Sequence, residues 1–310
     1  MKISEKELAR VTFGALASEK REDGLHLYRF PRQYIDAWDR EAAVLGERAR
    51  ATTGIRLDFH TNSAHLSVSV CRGRFELYLN GEAHAILTPA EPLCISLPVS
   101  TAETKDGTRV TIYYPAHEAG VLSAVELCDG ATLVPHTYTQ KILFIGDSIT
   151  QGWEAKHDPQ SYAMRISRAL DADCVVQGVG GTYYCRACMG SIPFDPDTVV
   201  VAYGTNDCTK RRSLAELEVE ARACLHFLAE EYAGKRILVL SPIPRCDTVR
   251  LSVPLEDCRA LLRREAEQLG LVYVDGRTLV PQDPSLFTDG LHPHDGGFAV
   301  YAENLLPYLQ

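Results

Sequence analysis

Up to about residue 135, apolar and polar residues alternate with a period of two. The alternating runs are IRLDFH (55–60), HLSVSV (65–70), TRVTIYY (108–114) and AVELCDG (124–130). In FELYLNGEAHAIL (75–87), Asn80-Gly81 separates two such runs, which is a strong hairpin signal. Short strands with turns between them predict an all-β, jelly-roll-like sandwich domain over residues 1–135. The pattern of residues 31–50 fits either a short helix or an irregular edge.

From residue 140 the pattern changes to continuous apolar runs that alternate with helical patterns. The apolar runs are KILFIG (141–146), CVVQGV (174–179), TVVVAYG (198–204), RILVLSPI (236–243) and LVYVDG (271–276). Such runs are typical of parallel strands that are buried on both faces. Helical patterns cover about 160–171, 213–233, 254–269 and 297–309. The sequence therefore predicts an α/β domain over residues 136–310, in which ligands bind at the carboxyl ends of the strands.

Four segments with chemically useful residues follow the predicted strands or precede the last helix. They are GDSIT (146–150), GVGG (178–181), GTND (204–207) and DGLHP (289–293). Taken singly, each segment is an ordinary helix cap, turn or loop. Taken together at one edge of a sheet, they supply a nucleophile, a base, an orienting acid and hydrogen-bond donors.

The residue types match what the cleavage of an ester requires. The hydroxyl of Ser148 can act as the nucleophile, and His292 can take its proton and return it to the leaving group. Asp289 can hold the imidazole in the correct tautomer. A tetrahedral intermediate also needs donors for its negative oxygen, which a glycine N–H and the Asn206 amide can provide.

These four segments resemble, in order, the four blocks of the SGNH, or GDSL, hydrolase superfamily, and the resemblance covers residues 140–310. It implies a flavodoxin-like three-layer α/β/α domain. A preceding β-sandwich is similar in layout to family-2 carbohydrate esterases and to some GDSL acyltransferases. The implied catalytic residues are Ser148, Asp289 and His292, and the implied oxyanion hole consists of Ser148, Gly181 and Asn206. The second block opens with Gln177-Gly178-Val179 instead of Asn-x-Gly, which leaves Gly180 as the alternative to Gly181.

The prediction is therefore a serine esterase that cleaves a small acyl ester, with acetyl favoured, of a carbohydrate or another small metabolite. An acyltransferase that passes the acyl group to an alcohol is the first alternative. A binding protein that has lost catalysis is the second, and the intact Ser148, Asp289 and His292 argue against it. The expected partner is a small-molecule ester, and association with further copies of the chain stays open.

Composition and charge exclude other classes of protein. A net charge of -9 argues against nucleic-acid binding. No apolar run approaches the roughly 18 residues of a membrane helix, and MKISEKELAR is unlike a secretory signal, so a cytoplasmic location is expected. Cys185 and Cys188 form one Cys-x-x-Cys pair with no second pair to complete a zinc site, so we predict free thiols and no metal or cofactor.

Overall fold

The computed structural model describes residues 1–89, 92–98, 107–211 and 213–310. They form two compact units, the first made of residues 1–29 and 50–138 and the second of residues 30–49 and 139–310. The sequence pattern placed residues 30–49 in the first domain, whereas the structure places them in the second unit. There they fold as two helices that bury Ile35, Trp38 and Leu45, so their apolar face determines where the segment packs.

The first unit is antiparallel, as the alternating pattern predicts. Its helix and strands are α1 (Glu5–Arg10), β1 (Thr12–Phe13), β2 (Ala17–Arg21), β3 (Gly24–Tyr28), β4 (Arg56–Thr61), β5 (His65–Arg72), β6 (Phe75–Leu79), β7 (Glu82–Leu87), β8 (Leu93–Ser96), β9 (Thr108–Tyr113), β10 (Val121–Leu127) and β11 (Val134–Pro135). One sheet has the order β1-β4-β9-β6-β7 with β11 beside β4, another has the order β10-β5-β8, and β2 pairs with β3. Phe59 and Leu77 of the larger sheet share a core with Val68 and Val125 of the other.

The hairpin that Asn80-Gly81 predicts is present between β6 and β7. Both turn residues lie in the left-handed region, with φ of 50° at Asn80 and 86° at Gly81. This conformation is typical of the two-residue turns that match the twist of paired strands. The turn therefore determines how β6 and β7 pair.

The second unit alternates strands and helices after its first two helices. Its elements are α2 (Arg32–Glu41), α3 (Ala43–Ala49), β12 (Gln140–Gly146), α4 (Ser148–Gln151), α5 (Tyr162–Ala169), β13 (Ala172–Gly178), β14 (Thr198–Ala202), α6 (Asp207–Lys210), α7 (Leu214–Glu231), β15 (Arg236–Leu240), α8 (Leu255–Gln268), β16 (Val272–Val274) and α9 (Asp295–Leu305). Short 3-10 helices lie at Asp158–Gln160, Arg186–Cys188, Gly276–Thr278, Pro284–Leu286 and Leu306–Tyr308. No helix in the described part of the chain is long and apolar enough to cross a membrane.

The parallel sheet brings three of the four sequence blocks together. Among the described residues it has five strands in the order β13-β12-β14-β15-β16, which is the flavodoxin-like order. Gly146 at the end of β12 lies between Gly178 of β13 and Ala202 of β14. The loops that follow these three strands therefore begin at the same edge of the sheet. This arrangement confirms the predicted α/β class and the predicted parallel sheet.

Candidate active site

Ser148 is the first residue of α4 and follows β12 after a single intervening residue. Asp147 caps this helix, because its carboxylate accepts a hydrogen bond of 2.9 Å from the N–H of Ile149. α4 packs so closely on β13 that a Cβ at Gly178 would lie 2.3 Å from the backbone nitrogen of Gln151. The sharp turn and the close packing place the Ser148 side chain, 5% exposed, at the carboxyl end of β12.

The structure brings Ser148, His292 and Asp289 into one hydrogen-bonded chain. His292 Nε2 lies 2.8 Å from Ser148 Oγ, and His292 Nδ1 lies 2.7 Å from Asp289 Oδ2. With the ring proton on Nδ1, the imidazole donates to the carboxylate and accepts from the serine hydroxyl. This is the geometry that a general base needs to remove the serine proton.

Asp289 is held by the backbone of its own loop. Its Oδ1 accepts hydrogen bonds from the N–H of Leu291 at 2.9 Å and from the N–H of His292 at 2.7 Å. Burial acts to raise the pKa of Asp289, but the hydrogen bonds from His292 and Leu291 outweigh it and lower that pKa below the ordinary value. The carboxylate is therefore ionised over a wide pH range and suited to stabilise a protonated imidazole.

Three hydrogen-bond donors lie just after the carboxyl ends of β12, β13 and β14. The backbone N–H groups of Ser148 and Gly181 make no hydrogen bond with any residue that the structure describes. The side-chain amide of Asn206 donates one hydrogen to the carbonyl of Thr182 at 2.9 Å, which leaves its second hydrogen for another acceptor. Gly180 differs, because its N–H already donates to Gln151 Oε1 at 2.6 Å. Of the two glycines that the sequence leaves open, the geometry favours Gly181 as a donor.

Sequence reasoning missed two cationic side chains that contact this glycine pair. Arg48 Nη1 donates to the carbonyl of Gly180 at 2.8 Å, and Lys210 Nζ donates to the carbonyl of Gly181 at 2.6 Å. Arg48 lies in α3, whose pattern was ambiguous, and its partner is 132 residues away along the chain. No local signal marks either residue, and only the folded chain identifies them.

Two buried carboxyl groups, Asp147 and Asp207, lie within the first and third blocks without belonging to the hydrogen-bonded chain. Burial, reinforced by the charge of Asp207, raises the pKa of Asp147 to about 7. Burial likewise raises the pKa of Asp207 to about 7, although Arg211 opposes that shift. In an unfolded chain an aspartate titrates near 4, so both carboxyls hold protons in the folded state over a range in which the unfolded state has lost them.

From these shifts we predict that ionisation of Asp147 destabilises the fold as the pH rises. The stabilising contribution of the protonated Asp147 carboxyl is complete below about pH 4 and is lost as the pH rises through 7. Between pH 5 and 7 the free energy of unfolding should fall by about 2 kcal/mol more in the wild type than in Asp147→Asn, which cannot ionise. Urea unfolding at both values measures this difference. The exposed Asp257→Asn is the control, and equal losses in all three proteins would contradict the prediction.

Cys185 and Cys188 are both buried free thiols, and their sulfur atoms lie 3.2 Å apart. Within the described residues, no three His, Cys, Asp or Glu side chains are grouped so that they could hold a metal ion. The hydrogen bond between the two thiols lowers the pKa of Cys185. That the protein is active without a metal ion stays a prediction.

A flavodoxin-like sheet whose strand ends carry the Ser, Gly and Asn blocks, with the His block just before the last helix, is typical of the class of SGNH hydrolases. Comparison with protein families agrees, because residues 144–300 match the model of the GDSL-like lipase/acylhydrolase family. That match covers more than half of the 310 residues. The chain belongs to this family and is an enzyme of the hydrolase class. Comparison with curated proteins gives no match.

Solved structures share the fold over nearly the whole chain. The salicylyl-acyltransferase SsfX3 from a tetracycline biosynthetic pathway has a TM-score of 0.79 at 19% identity, over 94% of this chain and 92% of that chain. A family two carbohydrate esterase from Cellvibrio japonicus has a TM-score of 0.67 at 16% identity, over 100% and 96%. An acetyl xylan esterase from the rumen bacterium Butyrivibrio proteoclasticus has a TM-score of 0.65 at 16% identity, over 100% of this chain and 96% of that chain. At sequence identities this low, the similarity shows a shared fold and not a shared activity.

Proposed function

We propose that this protein is a serine esterase that removes a small acyl group, acetyl in the first instance, from an oxygen of a carbohydrate or another small metabolite. The observation that carries the proposal is the hydrogen-bonded chain from Ser148 through His292 to Asp289. The backbone N–H groups of Ser148 and of Gly181 have no partner among the described residues. The proposal assigns Ser148 as the nucleophile, His292 as the base and these N–H groups as oxyanion donors.

The first half of the reaction forms an acyl-enzyme. His292 Nε2 removes the proton from Ser148 while Oγ attacks the carbonyl carbon of the ester. Asp289 stabilises the imidazolium that results. The tetrahedral intermediate then collapses, the bond to the alcohol oxygen breaks, and His292 gives its proton to the departing alcohol. The acyl group remains on Ser148.

The second half returns the enzyme to its starting state. Water takes the place of the alcohol, gives a proton to His292 and attacks the acyl carbon. The second tetrahedral intermediate collapses, the bond between the acyl carbon and Ser148 Oγ breaks, His292 Nε2 returns its proton to Ser148 Oγ, and the free acid leaves. Both halves pass through an oxyanion, which the N–H groups of Ser148 and Gly181 and the free hydrogen of Asn206 would hold. The Thr182 carbonyl fixes the Asn206 amide before any substrate binds. Donors that are already oriented need no rearrangement as the negative charge develops, which is why such groups contribute strongly to catalysis.

Acyl transfer is the second candidate, because the same acyl-enzyme serves both reactions. Among the structural neighbours are an acyltransferase and two esterases, one of which is described as an acetyl xylan esterase. A water molecule that attacks Ser148-bound acyl gives hydrolysis, and an alcohol in its place gives transfer. The chemistry of the site is identical in the two cases, so the acceptor has to be determined by experiment.

The test is a panel of p-nitrophenyl esters of increasing acyl length and of acetylated xylo-oligosaccharides, each assayed with and without added alcohol acceptors. We expect the fastest turnover with acetyl, free acid as the main product, and no activity in Ser148→Ala. A new ester as the main product, formed in proportion to the alcohol, would favour the acyltransferase. No Ser148-dependent turnover of any ester would refute both candidates.

We also expect the esterase to work without a metal ion. In the proposed reaction the nucleophile is Ser148, which His292 activates, and not a metal-bound water. Treatment with EDTA or with 1,10-phenanthroline, followed by removal of the chelator, should leave kcat unchanged. Loss of activity that zinc restores would be the opposite result. Replacement of both Cys185 and Cys188 by serine would then show whether that pair binds the metal.

A further inference from the structure

The peptide group between Gly180 and Gly181 is held from its carbonyl side. Arg48 Nη1 donates to the carbonyl oxygen of Gly180 at 2.8 Å. That carbonyl and the N–H of Gly181 belong to the same peptide group, and no described peptide bond is cis. In a trans peptide the C=O and the N–H point in opposite directions. The contact with Arg48 therefore determines the direction in which the Gly181 N–H points.

Without such a contact this peptide group would be easy to rotate. Rotation changes ψ of Gly180 and φ of Gly181, and glycine tolerates most values of both angles. Gly181 already has a φ of +82°, in the left-handed region. An inverted peptide would present the carbonyl oxygen where the N–H stood, and an oxyanion would then meet a negative dipole. The two glycines permit close approach, but they do not specify the orientation.

The neighbouring peptide groups are fixed by other side chains. The N–H of Gly180 donates to Gln151 Oε1 at 2.6 Å, and the carbonyl of Gly181 accepts from Lys210 Nζ at 2.6 Å. Arg48 is thus the middle one of three side chains that hold three consecutive peptide groups. Burial, and after it the charge of Arg48, lower the pKa of Lys210, as expected for two cations that contact one short loop.

Arg48 is itself held on the site side of α3. Its guanidinium lies 4.8 Å from the centre of the Trp153 ring, and the Trp153 ring lies 6.5 Å from the ring of His292. A Cβ added to Gly181 would lie 3.1 Å from Arg48 Nη1. The guanidinium therefore keeps a permanent positive charge close to the predicted oxyanion donor, stacked on a ring that neighbours the predicted base.

We propose that Arg48 is a positioning residue for the esterase reaction, which it serves by holding the Gly180–Gly181 peptide so that the Gly181 N–H points at the oxyanion. The inference rests on the proposed function and extends it to a helix outside the four sequence blocks. Lys210 and Gln151 support the same loop from either side. Arg48 acts through the Gly181 N–H, which meets a negative oxygen only as the transition state forms. Loss of Arg48 should therefore lower kcat and leave the binding of the ester almost unchanged.

The experiment compares Arg48→Met, Arg48→Lys and the control Arg32→Met. Arg32 lies on α2, its side chain is 90% exposed, and its replacement removes the same charge. Loss of one oxyanion donor costs about 100- to 1,000-fold in kcat. For Arg48→Met we expect about 10- to 100-fold, less than complete loss, with KM unchanged within about twofold. Arg48→Lys should recover part of kcat, and Arg32→Met should match the wild type.

A second readout separates orientation from general damage to the fold. A boronic acid binds Ser148 as a tetrahedral anion, so its inhibition constant for Arg48→Met should rise by the same factor as kcat falls. Unchanged kcat and boronate affinity in Arg48→Met would overturn the inference, and so would a loss expressed in KM alone.

A crystal structure of Arg48→Met tests the inference independently of the proposed function. We expect the Gly180–Gly181 peptide in more than one orientation, while the Ser148 and His292 side chains keep their places. A single, unchanged orientation would overturn the positioning role even if the enzyme is an active esterase. Failure of the wild type to form a Ser148 adduct would instead refute the proposed function, and the peptide orientation would still decide the structural claim.

Discussion

Ser148→Ala should abolish ester hydrolysis and covalent labelling by a fluorophosphonate probe. The substitution removes the hydroxyl that the proposed reaction acylates, and His292 Nε2 loses its 2.8 Å partner. In serine hydrolases with a triad, loss of the nucleophile lowers kcat by about four orders of magnitude or more, and the remaining rate comes from binding and from the oxyanion donors. Steady-state kinetics with p-nitrophenyl acetate measures the loss.

The control for this variant is Ser191→Ala, which removes an exposed hydroxyl from the same unit. It should retain full activity and full labelling, and circular dichroism should show all three proteins folded alike. Ser148→Ala that still turns over the ester at a tenth of the wild-type rate or more would show that another residue is the nucleophile.

Asn206→Ala should keep the labelling by the fluorophosphonate but slow turnover about 100- to 1,000-fold, the usual cost of one oxyanion donor. The nucleophile and its base are untouched, so the serine stays reactive towards a strongly activated probe. Among the residues that the structure describes, the amide of Asn206 donates one of its hydrogens, to the Thr182 carbonyl at 2.9 Å. Its other hydrogen is the one whose loss should slow the reaction.

Asn304→Ala is a matched control for that variant. The Asn304 amide also donates to a backbone carbonyl, that of Leu279 at 3.1 Å, and its replacement removes the same kind of hydrogen bond away from the site. We expect normal turnover from Asn304→Ala. If Asn206→Ala also keeps its kcat, Asn206 is not part of the oxyanion hole and its amide serves only to hold Thr182.

The fold was predictable where the apolar pattern was continuous. The run KILFIG predicts a strand over 141–146, and β12 spans Gln140–Gly146. The helical pattern over about 254–269 corresponds to α8, Leu255–Gln268. Residues 31–50 were left open between a short helix and an irregular edge, although Ile35, Trp38, Leu45 and Ala49 recur at helical spacing and are buried. Both helices of this segment are short, and α2 ends at Glu41 two residues before α3 begins.

The candidate site was predictable to the extent that it follows from strand order. Ser148 and Asn206 come after neighbouring parallel strands, so the topology alone brings them to one edge. The choice between Gly180 and Gly181 depends on the Gln151 side chain, which occupies the N–H of Gly180. Arg48 could not be found from the sequence, since its partner is a distant backbone carbonyl that any residue could supply.

The most direct test of the account is to locate the fluorophosphonate adduct by mass spectrometry. Trypsin cuts after Lys141 and Lys156, and the peptide between them, residues 142–156, contains only two hydroxyl groups, on Ser148 and Thr150. We predict a single adduct on this peptide, with fragment ions that place it on Ser148, and no adduct in His292→Ala at the same probe concentration. An adduct on another residue, or labelling that does not need His292, would contradict the assignment of Ser148 as a nucleophile activated by His292.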